Sequence, residues 1–414
     1  MLRKFSFLTT LTTIGIIQSS LALSTQLQQN GDFFLPNQES TQNGFLQIES
    51  SQKVTQVSDS WSATRRSSLS VSDDVPQIVS LSSWMTDLKK NPKISQLKIN
   101  QITIPGAHHA GLTYLLPFFE LIEAIFGKLG LKDIYDSKPK EFISYLINSI
   151  LVPHVYSVEE ILQQGGRYLD LRISQDLDDP NEIYLSHCFL SKIRLNDSLA
   201  IVNKFLQANP GEIIILDIPV DYDPFGTVGN PVPHQEIDAQ IRQNIDSKFI
   251  LTRDNISQPI STYGGVYFTN FEQNSTLSQI KIKAGWAITQ DADPQQVVKN
   301  IKNYYESDQY LKQDPIDFDM LKCDPYVTAS TDSAIETLVY ETLFESQPLP
   351  LDPLISSKVI PANLKSSAKL SNPLFYDTVY RSDKLLNIVN IVEMDLFDAE
   401  NAIRAIELNF YRYF

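Results

Sequence analysis

The sequence predicts an α/β fold whose parallel sheet closes into a barrel, and three observations predict it. Strand-like and helix-like segments alternate from about residue 158 to about residue 306. The segment Glu212–Ile218 has a continuous apolar centre, the pattern of a strand covered on both faces. Histidines and charged residues recur where the predicted strands end, which is where α/β sheets place their chemistry. At 414 residues there is room for one barrel of roughly 250 residues with extensions. A composition of 42% hydrophobic and 20% charged residues is that of a globular chain and not of a disordered one.

Met1-Leu2-Arg3-Lys4 is a basic start, Phe5–Ile17 is largely apolar, and Ser20 and Ala22 supply small residues for cleavage. Residues 1–22 are therefore expected to be a secretory signal peptide and the protein to be extracellular. Residues 23–80 are rich in Ser, Gln, Asn and Thr without sustained periodicity, and are expected to form a flexible leader before a domain over 81–414. No later stretch is long and apolar enough for a transmembrane segment. The net charge of -15 disfavours binding to nucleic acid and electrostatic anchoring on anionic membranes. It does not disfavour hydrophobic insertion. The two cysteines, Cys188 and Cys323, exclude a Cys-rich zinc module, and their pairing stays open. Asn196, Asn255 and Asn274 begin N-x-S/T sequons, acceptors for glycans in a eukaryotic host.

Within 81–414, Trp84 is expected to lock a short helix onto one end of the barrel. The apolar alternation of Leu97 and Ile99 slips at Asn100-Gln101 and resumes at Ile102 and Ile104. This predicts a bend and then a short strand that stops at Pro105-Gly106, a turn signal. His108 and His109 follow at once. Residues 117–126 and 134–152 read as apolar helices, the first either packed on the second as part of the core or forming a lipid-facing rim. A helix Val158–Gln164, a strand Arg167–Ile173, a strand Ile183–Cys188 and a helix Leu195–Ala208 come next. They are followed by helix 235–247, strand 264–269, helix 277–282, strand 285–289 and helix 294–306. Residues 310–385 are less regular, with Pro348, Pro350, Pro353, Pro361 and Pro373 marking loops. A strand Ile388–Asp395 and a helix Ala399–Leu408 close the chain. His154 and His234 read as ordinary loop residues.

The predicted strand ends offer His108, Asp170 with Arg172, His187 and Asp395. Asp170 and Arg172 are two apart, so on a strand they share a face. Two histidines and an arginine suit metal-free cleavage of a phosphodiester. One imidazole takes a proton from the attacking hydroxyl and the other gives one to the leaving oxygen. A guanidinium neutralises the phosphoryl oxygens, and a buried carboxylate orients the basic imidazole.

These residues also carry a resemblance. Ile104-Pro105-Gly106-Ala107-His108, then Gly166-Arg167-Tyr168-Leu169-Asp170-Leu171-Arg172, then Leu185-Ser186-His187 resemble the X region of phosphatidylinositol-specific phospholipases C. Asn209–Leu216 resembles the strand that follows there, and Gln290-Asp291 and Met394-Asp395 match later segments more loosely. The resemblance implies a distorted TIM barrel forming a single catalytic domain, and release of diacylglycerol and a cyclic inositol phosphate. It implies His108 as general base, His187 as general acid and Arg172 in the place of calcium. Asp170 would fix Arg172, and Asp395 would orient His108. His109 and Asp291 become substrate-binding candidates. No metal and no cofactor are implied, and the expected partner of a monomer is a phospholipid at a membrane surface. The family's Asp or Asn after the first histidine is here His109, Pro219 stands at a position near the inositol, and Asp293 stands where a bacterial member has Tyr. Two alternatives differ in class: a lipid-binding barrel with weak turnover, and a phosphodiesterase for another head group, including a metal-dependent one.

Overall fold

The computed structural model describes residues 77–117, 154–176, 182–187, 189–220, 232–269, 282–284, 294–307, 318–323 and 364–414, with isolated residues between these spans. The proposed signal peptide, most of the leader, most of 117–152, Cys188, Asp291, Asp293 and the expected strand 285–289 lie outside the described residues. Ile78, the second of the described residues, packs against the core.

Short helices α1 (Trp84–Lys89) and α2 (Pro92–Ser95) precede strand β1 (Ile104–Ala107). Helix α3 (Val158–Gln163) leads to β2 (Tyr168–Asp170), β3 (Ile173–Gln175), β4 (Ile183–His187) and β5 (Phe189–Arg194). Then come α4 (Leu195–Ala208), β6 (Ile213–Asp217), α5 (His234–Asn244), β7 (Gly265–Thr269) and β8 (Ile282–Ala284). The chain continues with α6 (Pro294–Tyr305), β9 (Phe318–Cys323), α7 (Leu364–Tyr380), α8 (Asp383–Ile388), β10 (Ile391–Met394) and α9 (Ala399–Tyr413).

Seven strands form one parallel sheet in the order β7-β6-β2-β1-β10-β9-β8. Its two ends meet through a parallel bridge between Thr269 and Ile280, just before β8. The fold is thus a distorted TIM barrel whose last seam is a single bridge. Alternation along the strands builds two shells. Ile104, Tyr168, Ile213, Ile215, Tyr267 and Ile391 pack together, with Trp84, Ile94 and Ile99 on the same cluster at the N-terminal end. Leu169, Ile214, Leu216, Val266 and Phe268 pack instead against Leu199, Val202 and Leu206 of α4 and Ile237 and Ile241 of α5. The spacing of those helical residues is that of one apolar stripe.

The barrel's N-terminal end is tied by a fully buried ion pair. Arg167 donates to Glu212 at 3.0 Å and to the carbonyls of Leu162, Gly166, Leu81 and Ser82. Glu212 in turn accepts from the backbone N–H groups of Met85 and Thr86, and so caps α1. Trp84 is fully buried and donates to the carbonyl of Gly165, which locks α1 where the sequence places it.

Four expectations need correction. The Pro105-Gly106 pair does not end a strand but lies inside β1. A Cβ at Gly106 would come within 2.8 Å of the Tyr168 ring, so the glycine is there to let Tyr168 fill the barrel, not to turn the chain. A 3₁₀ turn at Ile99–Gln101 supplies the change of direction instead. Pro373 lies within helix α7, and the region taken as irregular also contains β9 and α8. Residues 277–282 are not one helix, because Ile280 is bridged and β8 starts at Ile282. β4 belongs to a separate antiparallel sheet, β3-β4-β5, and not to the barrel wall.

Candidate active site

The site is built on the C-terminal ends of β1, β2 and β10, which lie side by side. β1 delivers His108, whose N–H donates to the carbonyl of Met394 at 3.1 Å. β10 delivers Asp395 directly after its last residue. The two side chains meet, with His108 Nδ1 2.9 Å from Asp395 Oδ1. β2 ends at Asp170, and Arg172 follows in the two-residue link to β3. Arg172 donates from Nε to Asp170 Oδ2 at 3.3 Å and from Nη2 to His108 Nε2 at 2.8 Å.

That arrangement assigns the tautomer of His108. A guanidinium can only donate, so Nε2 is the bare nitrogen and Nδ1–H donates to Asp395. His108 is therefore a neutral imidazole with its lone pair aimed at Arg172, the state a general base needs. His108, Asp170 and Asp395 are 0–2% exposed and Arg172 is 16% exposed, so these charges act where water screens them little.

His187 reaches the same end of the barrel from the last residue of β4. His109 lies between the two other imidazoles, its ring centroid 4.2 Å from that of His108 and 4.0 Å from that of His187. It does not point to solvent: it is 2% exposed, and neither ring nitrogen has a hydrogen-bond partner among the described residues. Burial, followed by the charge of Arg172 and the imidazoles of His187, His108 and His154, holds its pKa well below the ordinary histidine range. With its pKa so lowered, His109 lies as an uncharged ring beside His187, the two rings tilted by 31°. Gly111 permits the tight return of this loop, with φ at +79° and a would-be Cβ 2.4 Å from Val158.

Reasoning from sequence missed two residues here. Asp217 ends β6 and accepts a 2.6 Å hydrogen bond from the Tyr168 hydroxyl. Burial, with Asp217, Glu393 and Asp170 nearby, pushes the Tyr168 phenol well above its usual range and keeps it a donor. An acidic residue closing a continuous apolar strand was the available signal. His154 is not an ordinary loop residue: it is fully buried and hydrogen-bonded to the backbone carbonyl of His108. His234 is the first residue of α5. Pro219 is half-buried, and its carbonyl accepts from the N–H of Ile173. Among the described residues no group of three or more His, Cys, Asp and Glu is arranged to hold a metal ion.

Parts of the chain are similar to known proteins. Residues 140–225 match the family model "Phosphatidylinositol-specific phospholipase C, X domain". Over 145 residues the chain is 30% identical to the variant-surface-glycoprotein phospholipase C of Trypanosoma brucei brucei, covering 33% of this chain and 38% of that protein. It is 27% identical over 173 residues to PI-PLC X domain-containing protein 3 of Mus musculus, covering 39% and 47%. The solved phosphatidylinositol-specific phospholipase C from Listeria monocytogenes aligns with 80% of this chain and 99% of its own, at 15% identity and a TM-score of 0.49. The chain spans less than half the length of the two named sequence relatives. The family match contains Asp170, Arg172 and His187. His108, His109 and Asp395 lie outside it and are brought to those residues by the barrel.

Proposed function

We propose that the chain, similar over residues 140–225 to the phosphatidylinositol-specific phospholipase C X domain, is a member of that family and cleaves the head group from a glycerophospholipid by metal-free acid–base catalysis. The observation that carries this reading is the state of His108, held between Asp395 and Arg172 with Nε2 unprotonated. When a phosphodiester enters, Arg172 turns its fork from His108 to the phosphoryl oxygens and frees the base. His108 Nε2 takes the proton of an inositol hydroxyl, and that oxygen forms a bond to phosphorus. The bond from phosphorus to the diacylglycerol oxygen breaks, and His187 gives that oxygen a proton. The products are diacylglycerol and a cyclic inositol phosphate. Asp395 stabilises the imidazolium that forms on His108, and Asp170 anchors Arg172.

The substrate is proposed to sit in a membrane surface. Tyr114, Leu116 and Val155 are 39%, 42% and 51% exposed, on the chain just after His108-His109 and just after His154. Apolar side chains beside the site favour docking by insertion, which suits a chain of net charge -15 better than attraction to anionic lipid. No helix among the described residues is long and apolar enough to cross a membrane. Export through residues 1–22 and a single catalytic domain over 81–414 belong to the same proposal.

The test is head-group release from vesicles of single phospholipids, read by phosphorus NMR, with and without EDTA. A cyclic inositol phosphate formed at an unchanged rate in EDTA is the expected result. Activity lost to EDTA and restored by calcium would overturn the role of Arg172, and no release from any lipid would overturn the enzyme. Arg172→Lys should lower kcat by about 100-fold or more, because a point charge cannot replace a planar fork on two oxygens.

A further inference from the structure

Among the described residues two non-glycine residues have a left-handed backbone, His109 at φ 46° and Leu396 at φ 49°. Each directly follows one member of the His108–Asp395 pair. Such corners are disfavoured for L-residues and persist only where the surroundings hold them. The second corner is held in part by carboxamides. Asn372 donates to the carbonyl of Asp395 at 3.0 Å, and Asn401 donates to that of Leu396 at 3.2 Å.

One side chain bonds to both corners. The His154 ring, fully buried, is hydrogen-bonded through Nε2 to the carbonyl of His108, immediately before the first corner. Through Nδ1 it accepts from the N–H of Phe397 at 3.3 Å, immediately after the second. A carbonyl only accepts and a backbone N–H only donates, so the ring must carry its proton on Nε2 and none on Nδ1. Its two nitrogens thus link the loop of the base to the loop of the carboxylate across neighbouring strands β1 and β10.

We propose that His154 is a positioning residue, a neutral imidazole clamp that fixes the His108–Asp395 pair without touching substrate. This goes beyond the proposed reaction but rests on His108 being its base. The clamp works through geometry. A shift of either corner opens the 2.9 Å contact of the pair, and misplacement by about 1 Å is enough to cost roughly 100-fold in rate.

The test compares His154→Phe, which keeps a planar ring and loses both bonds, with His154→Gln, whose amide offers one donor and one acceptor at similar reach. The Phe variant should lose about 100-fold in kcat with little change in KM, and the Gln variant should recover most of it. The acidic limb of the kcat/KM profile should also move to lower pH in the Phe variant. His108 faces Asp395, Asp170, Arg172 and His109, and a looser Asp395 stabilises its protonated form less. A residue that served stability alone would lower the folded fraction and leave that limb where it is, so an unmoved limb or an unrescued Gln variant would overturn the clamp. Nitrogen NMR of the unaltered protein tests it even where the Phe variant does not fold. Across the active pH range His154 must be the neutral Nε2–H tautomer, and a protonated or Nδ1–H ring would refute the proposal. Absence of phosphodiesterase activity would overturn the reaction and leave this spectroscopic result to decide the clamp.

Discussion

Replacing His109 by Asp adds a carboxylate next to the proposed acid, and the structure sets how large the effect should be. In the native protein the group that His109 sets beside His187 is a neutral ring 4.0 Å away, which brings no negative charge to the protonated form of His187. A carboxylate at the same position would lie about 5 Å from the His187 ring, and at an effective dielectric near 20 their attraction is about 3 kcal/mol. That equals about two pKa units, and desolvation of a carboxylate at a site only 2% exposed takes back part of it. A rise of one to two units in the pKa of His187 follows. A general acid works only while protonated, so the alkaline limb of the pH–rate profile should move up by about that much, and the native optimum should lie on the acidic side of neutrality. Backbone strain does not confound the comparison, since Asp and Asn tolerate the φ of 46° at least as well as His does. The measurement is kcat/KM against pH for a water-soluble phosphodiester, which removes vesicle effects. His109→Asn serves as the uncharged control and should keep the native limb. Superimposable profiles for the native protein and His109→Asp would refute the reasoning, and a downward shift would show that His187 is not the acid.

Three further outcomes follow from the same geometry. Asp395→Asn should lower kcat by about 1,000-fold or more with little change in KM, because the tautomer of His108 loses its anchor; a loss below tenfold would remove Asp395 from the mechanism. Glu212→Gln should destabilise the fold by about 3–5 kcal/mol, since it leaves Arg167 charged and fully buried, yet it should not alter kcat per folded molecule, which denaturant titration and active-site normalisation together can check. Native stability should be full above about pH 6.5 and fall below it by up to about 1.4 kcal/mol per pH unit from His109 alone, because the unfolded chain binds a proton that the buried ring refuses. Urea melts of His109→Asn should show the shallower slope, and equal slopes would contradict the neutral ring.

The parts of this molecule that the sequence makes legible are those governed by periodicity. The segment later seen as β6 shows its burial on both faces as an unbroken apolar run, and α4 shows its single stripe at Leu195, Leu199, Val202 and Leu206. What stays hidden is set by partners distant in sequence. Pro105-Gly106 reads as a turn because local chemistry favours one, and only the ring of Tyr168, brought alongside by the pairing of β1 with β2, reveals why a glycine is needed within the strand. Pro373 reads as a break, whereas packing of Phe375, Tyr376 and Val379 beneath α6 and β10 accompanies a helix around it.

The same distinction runs through the site and changes what its motif means. Within Gly166–Arg172, Arg167 is bound to Glu212 at the N-terminal end of the barrel, Tyr168 fills the interior, and Asp170 with Arg172 faces the base. One seven-residue segment, β2 with its flanking residues, therefore carries structural lock, core and chemistry, and a residue's presence in the motif does not tell which role it has. The reverse holds for His154, which bonds to the backbone of the proposed base but stands in no motif. Its partners are a carbonyl and an N–H, groups every residue possesses, so no side-chain pattern announces them. Residues that bind other side chains leave a trace as complementary chemistry at separate positions, as Arg172, Asp170, His108 and Asp395 do. Residues that bind backbone leave none, and in this barrel the clamp on the proposed catalytic pair is of that second kind.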